Sequence, residues 1–245
     1  MKNKILFGIA SIFFFVACKK ENLGDCFKSA GNTNAVFHNV TGFNCIEASD
    51  KMNFYLTQEN DYSVKVVAGA NLQNLIKTEL DGETLKVVNH NKCNIVRGYN
   101  HTIDVYISAP FFKYILHKGV GEVKSRNQIT QNQITVRIEN SGAVNLDINI
   151  DTFQGSVHGN GDLYLSGTTN KLLWNYYGTN YAYLSELMVN SYVYLESNSI
   201  GHAYLNAPEN GLMDVVIGKS GNVYYSGQPS SLNITLKGKG KVYKK

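Results

Sequence analysis

From residue 112 onward the chain alternates apolar and polar residues in short runs, and the runs recur with a period near twenty. Aligning on the second glycine of HGNGDLYL gives a column of Gly121, Gly142, Gly161, Asn180, Gly201, Gly221 and Gly240, spaced by 21, 19, 19, 21, 20 and 19 residues. Two and four residues after the column stand apolar pairs: Val144 and Leu146, Leu163 and Leu165, Ala182 and Leu184, Ala203 and Leu205, Val223 and Tyr225. Eight, six and four residues before it stand triplets such as Ile134, Val136, Ile138 and Leu172, Trp174, Tyr176, continuing to Leu232, Ile234, Leu236. Alternation with period two means that each strand buries one face. A unit of about twenty residues repeated seven times marks a solenoid, whose stacked units bury a core that none of them builds alone. Asn180 stands in for glycine because both residues tolerate positive φ, so the column is expected to mark a left-handed corner.

Twenty residues suffice for two or three short strands and tight corners, one turn of a parallel β-helix. Parallel crossovers are right-handed, so the helix is expected to be right-handed too. A β-propeller needs blades of roughly 40 residues, and the Leu-x-x-Leu-x-Leu frame of a leucine-rich repeat is absent. The fold class is therefore all-β, a right-handed parallel β-helix.

Residues 36–111 carry strand signals without the period. Met52, Phe54 and Leu56 alternate with polar neighbours, as do Tyr62, Val64 and Val66 beyond the turn QEND. Asp81-Gly82 is a hairpin turn followed by Thr84 to Val88, TIDVYIS (Thr102 to Ser108) alternates again, and ANLQNLIKT is expected to form one or two helical turns. No composition break separates this part from residues 112–245, so 36–245 reads as one domain with a β-rich N-terminal cap.

The first residues, MKNKILFGIASIFFFVACKK, read as a signal segment over 1–17. Lys2 and Lys4 precede an apolar run that is too short for a bilayer span of roughly 20 residues. Cys18, directly after Phe15-Val16-Ala17, is expected to be lipidated, which tethers the chain to a membrane; residues 18–35 form a polar leader. Cys26, Cys45 and Cys93 remain. Cys26 and Cys93 lie in polar segments and form the favoured disulfide, and Cys45, in the strand-like FNCIEAS, is the expected buried free thiol. The two lysines of residues 1–17 account for half of the net charge of +4. What remains is too mild for nucleic-acid binding.

The frame FNCIEASDKMNFYLTQENDYSVKVVAGANLQNLIKTELDGETLKVVN resembles the start of the putative auto-transporter adhesin, head GIN domain family. The later repeats SGAVNLDI, GNGDLYLSG and SGNVYYSG match that family's second half. The resemblance spans residues 36–243. It implies a right-handed β-helical fold and an envelope-associated protein of the kind common in Bacteroidetes; outer-membrane attachment is expected separately, because KKEN after Cys18 resembles the signal that follows the lipid cysteine in surface-exported lipoproteins of the Bacteroidetes. It transfers no catalytic residue and no cofactor, and the family's biochemical role is unassigned.

Two columns are candidates for chemistry. Three residues after the glycines stand Lys124, Asn145, Tyr164, Tyr183, Tyr204, Tyr224 and Tyr243. Five consecutive coils thus place a tyrosine on the outward phase, stacked at roughly 4.8 Å. Such a row is suited to contact with a surface glycan or an envelope protein; it also serves as a stack that ties coils together. Three residues before the glycines stand Glu139, His158, Tyr177 and Asn198. Glu139 beside His158 is general acid–base material for a polysaccharide-acting enzyme, although the column holds no second carboxylate and no metal set. No HExxH, CxxC pair, GxxxxGK[ST] or GxSxG occurs. The sequence thus favours a non-enzymatic, lipid-anchored binding module over the enzyme.

Overall fold

The structure, a computed structural model, describes residues 29–91 and 102–245. The chain lays down β1 (Thr33–His38), β2 (Cys45–Ala48), β3 (Asn53–Gln58), β4 (Ser63–Gly69), the single turn α1 (Ala70–Gln73), β5 (Ile76–Asp81) and β6 (Thr84–Asn89). There follow β7 (Asp104–Ala109), β8 (Tyr114–His117), β9 (Val123–Ser125), β10 (Ile129–Ile138), β11 (Val144–Gly159), β12 (Leu163–Gly178) and β13 (Ala182–Ser199). The last are β14 (Ala203–Asn206), β15 (Leu212–Ile217), β16 (Val223–Ser226), β17 (Ser231–Leu236) and β18 (Val242–Lys244). They stack as a parallel β-solenoid of about 7 turns. The helix is a single turn because Ile76 already joins the hairpin β5–β6, whose corner Gly82 has φ 59°. Strand β1 begins at Thr33, inside the stretch read from sequence as leader.

Two faces carry the parallel ladders. On one, β7, β3, β9, β11, β12, β13, β14, β16 and β18 follow one another along the axis. On the other run β6, β2, β8, β10, β11, β12, β13, β15 and β17. The coil β2–β3 therefore lies between β6–β7 and β8–β9, although it precedes both in sequence. Beyond β6–β7 the stack is closed by antiparallel strands: β4 pairs with β7, β1 with β4, and β5 with β6. Antiparallel capping ends the exposure of core on that side.

The other end is different. Leu232, Ile234 and Leu236, expected in the core, lie on β17, which among the described residues pairs with β15 alone. Leu232 packs against the core, but Ile234 and Leu236 are 44% and 54% exposed, since among the described residues no rung lies beyond them.

Inside, rungs share volume. Phe153, Trp174 and Tyr176 are fully buried, and the space for the indole comes from Gly155 on the preceding rung, where a Cβ would meet Trp174 Cζ3 at 2.5 Å. The glycine column also works through space and not through φ, which corrects the expected left-handed corner. None of its members has positive φ. A Cβ on Gly142, Gly161, Gly221 or Gly240 would fall onto the carbonyl oxygen of the column residue one coil earlier, and on Gly201 onto that of Asn180. The coils approach too closely for a side chain there. Asn180 is the column member that carries a side chain, two residues after Gly178 at φ 117°. Its buried amide donates to Gly159 O at 2.8 Å and Tyr177 O at 2.7 Å, binding its coil to the one before.

Candidate functional site

Leu163, Tyr164 and Leu165 show how the outward row is built. The flanking leucines are drawn into the core by burial of apolar surface, and strand alternation then forces the tyrosine out. Ala182-Tyr183-Leu184, Ala203-Tyr204-Leu205 and Val223-Tyr224-Tyr225 repeat the arrangement. Parallel pairing in register places the tyrosines directly over one another. Ring centroids are 4.6 Å apart for Tyr164–Tyr183, 5.8 Å for Tyr183–Tyr204, 5.3 Å for Tyr204–Tyr224 and 5.4 Å for Tyr224–Tyr243. Interplanar angles run from 10° to 17°. The rings therefore cover each other's faces and present edges and hydroxyls outward. Burial and then the charge of Asp162 raise the phenols of Tyr164 and Tyr183, and a neutral phenol both donates and accepts.

Polar residues flank the row on both sides. On one side Asp162, His202 and Asn222 cap the next coil: Asp162 Oδ1 accepts from the Tyr181 N–H at 2.7 Å, His202 Nδ1 from the Asn222 N–H at 3.0 Å, and Asn222 Oδ1 from the Lys241 N–H at 2.9 Å. On the other side β13 carries one extra residue between Tyr183 and Glu186, a bulge that brings Ser185 and Glu186 beside the tyrosines. Here a trough of about 610 Å³ follows four rungs, lined by Asn145, Tyr164, Ser166, Tyr183, Glu186 and Tyr204. Lys245 Nζ lies 4.8 Å from the Tyr204 centroid and 5.3 Å from that of Tyr224.

The row extends further than its period implied. Asn145 pairs with Lys124, Lys124 with Tyr55, and Tyr55 with Tyr106, so seven tyrosines share one outward line across nine strands. Tyr55 and Tyr106 stack at 4.9 Å, with Lys65 Nζ 4.4 Å from the Tyr106 centroid. Both were missed because β3 and β7 lie outside the twenty-residue repeat. The signal was nevertheless present: Phe54-Tyr55-Leu56 and Val105-Tyr106-Ile107 are the same tyrosine between two core residues.

The second column behaves differently. The pairing of Ile138 with Val157 sets Glu139 and His158 on adjacent rungs. The Glu139 carboxylate accepts from Arg137 Nε at 2.8 Å, and the His158 ring stacks on Tyr177 at 5.0 Å and 11°. A second histidine, His117, is fully buried between carbonyls, with Nε2 2.8 Å from Gly121 O and Nδ1 3.3 Å from Ala48 O; burial lowers its pKa. Cys45 is unpaired and half-buried, its thiol donating to Asn44 Oδ1 at 3.1 Å and pushed up by burial. Cys18, Cys26 and Cys93 lie outside the described residues. Among the described residues no three His, Cys, Asp or Glu side chains form a metal-binding group, and no helix is long and apolar enough to cross a membrane.

Fold and site together define a parallel β-solenoid with a continuous aromatic row on one face. The chain belongs to the putative auto-transporter adhesin, head GIN domain family, whose model matches residues 42–229. No curated protein matches it. The same fold occurs in a crystal structure of a putative adhesin from Bacteroides fragilis, with 23% identity and TM-score 0.80 over 87% of this chain and 97% of that one. A putative adhesin from Parabacteroides merdae (15% identity, TM-score 0.67) covers 89% of this chain and 98% of that one. A putative lipid binding protein from Parabacteroides distasonis (18%, TM-score 0.66) covers 88% and 97%.

Proposed function

We propose that the protein is a non-enzymatic binding module of the cell envelope, held at the outer membrane by a lipid on Cys18, and that the row Tyr164, Tyr183, Tyr204, Tyr224, Tyr243 is its contact face. The observation that carries this reading is the row itself: five stacked phenols with exposed edges beside a trough of about 610 Å³. Membership in an adhesin-like family and the putative adhesins among its structural neighbours support it. Tyrosine offers large contact area and a polar tip at low entropic cost, which suits adhesive surfaces. The enzymatic alternative draws no support from Glu139 and His158, whose side chains are engaged by Arg137 and Tyr177.

The test is retention of the protein on intact bacterial cells and on immobilised glycans. Changing Tyr164, Tyr183 and Tyr204 together to Ser abolishes retention, whereas Glu139→Gln with His158→Gln leaves it intact. Undiminished retention by the Ser variant overturns the contact face. Labelling with a radioactive fatty acid that is lost in Cys18→Ser tests the anchor.

A further inference from the structure

The spacing of the row carries information about what lies on it. Each tyrosine advances about 5 Å along the solenoid axis, the distance between neighbouring strands. An extended peptide moves about 3.3 Å per residue and roughly 6.6 Å between side chains on one face. A peptide laid along the axis therefore falls out of step with the tyrosines within two rungs. An extended chain of β-1,4-linked pyranoses advances one sugar per step of nearly the tyrosine spacing and stays in step over all five. Compact α-1,4-linked chains coil and do not.

The chemistry of the row agrees with its geometry. Because stacked neighbours cover the ring faces, stacking against a sugar is open only at the two ends of the row, where Tyr164 looks towards the short side chain of Asn145 and Tyr243, among the described residues, stacks on Tyr224 alone. Elsewhere the row offers phenol hydroxyls, one per rung. The flanks add Ser166 and Glu186 on the trough side and Asp162 and His202 on the other, and the Lys245 ammonium lies over the rings of Tyr204 and Tyr224. Donors and acceptors on both sides of a shallow trough match a ligand that carries hydroxyls on both edges. A protein partner would instead look for a deep, dry pocket for an anchor residue.

We infer that the tyrosine row binds an extended β-1,4-linked glycan lying parallel to the solenoid axis, one sugar per tyrosine. The inference rests on the contact face proposed above. Titration calorimetry of the whole protein with chito-oligosaccharides and cello-oligosaccharides of two to six sugars tests it, with malto-oligosaccharides as the compact control. The two β-linked series separate an N-acetylated glycan from a plain glucan. For at least one of them, affinity rises with each added sugar up to five, and maltohexaose binds at least tenfold more weakly. Tyr183→Phe with Tyr204→Phe keeps the rings stacked, leaves the melting temperature in place and weakens the preferred hexasaccharide at least tenfold. Equal binding of maltohexaose, affinity independent of length, or an unaffected Phe variant overturns the inference. If neither β-linked hexasaccharide binds while the Tyr→Ser variant still loses cell retention, the glycan assignment fails and the contact face stands. If cell retention also survives in the Ser variant, both fail.

Discussion

The outward tyrosine row and the inward row through Trp174 cross the same coils under opposite rules. Inside, Val136, Gly155, Trp174, Leu195 and Val215 follow one another, and a residue is large only where its neighbour yields, as Gly155 does to Trp174. The indole forces variety in this row, whereas the core row Leu146, Leu165, Leu184 and Leu205 repeats one residue that fills its share of volume. Outside, volume imposes no such exchange, and the row of Glu139, His158, Tyr177 and Asn198 varies freely in chemistry. The repetition of one residue at Tyr164, Tyr183, Tyr204, Tyr224 and Tyr243 therefore has a cause other than packing volume. It comes from ring-on-ring stacking, from contact with a ligand, or from both.

Substitutions that break the inward rule have the largest effect. Trp174→Ala empties a fully buried site and lowers unfolding free energy by about 3–5 kcal/mol in denaturant titration. Gly201→Ala places a methyl group on the Asn180 carbonyl and costs about 1–3 kcal/mol, as does Gly155→Ala against the indole. An unchanged midpoint for Gly201→Ala would mean that the coils have slack, contrary to the close approach of Gly201 to the Asn180 carbonyl.

A smaller effect comes from pH. Burial lowers the pKa of His117 below its ordinary 6.5, so the unfolded chain binds the proton more readily than the folded one. Stability from the neutral imidazole is complete above pH 6.5 and is lost as pH falls towards the folded value. His38, lowered by burial and by Lys77, acts in the same direction. Melting temperature is expected to fall between pH 7.5 and pH 5, and His117→Gln reduces that slope even if it lowers stability throughout. A slope unchanged by the substitution would rule His117 out as its source.

The smallest expected change in stability is that of Tyr→Phe on the outward row. The ring stack persists, so stability stays within about 0.5 kcal/mol, and the two causes of the repetition separate.

Most of this architecture was legible in the sequence because the solenoid is made of local alternation with a strict period. Leu163 and Leu165 inward with Tyr164 outward follows from three adjacent residues, and pairing in register follows from coils of nearly equal length, the bulge of β13 taking up an extra residue. The role of the glycines was not legible. A glycine required for positive φ and one required for close approach look alike in sequence, and only the preceding coil's carbonyl distinguishes them. The exposure of Ile234 and Leu236 was hidden for a similar reason, since their alternation is that of core residues and the lack of a following rung is a tertiary fact. Tyr55 and Tyr106 escaped because the order of the first coils along the axis departs from their order in the chain. Pairing of β3 with both β7 and β9 is what joins them to the later tyrosines.

The central claim is that the tyrosine row meets a ligand through its hydroxyls. Its most direct test is to measure thermal unfolding and cell-surface retention on the same preparation of a variant with Tyr164, Tyr183 and Tyr204 all changed to Phe. Retention lost with an unchanged melting temperature is the predicted result. Retention kept at full strength would contradict it and leave the row as a stack that serves the fold alone.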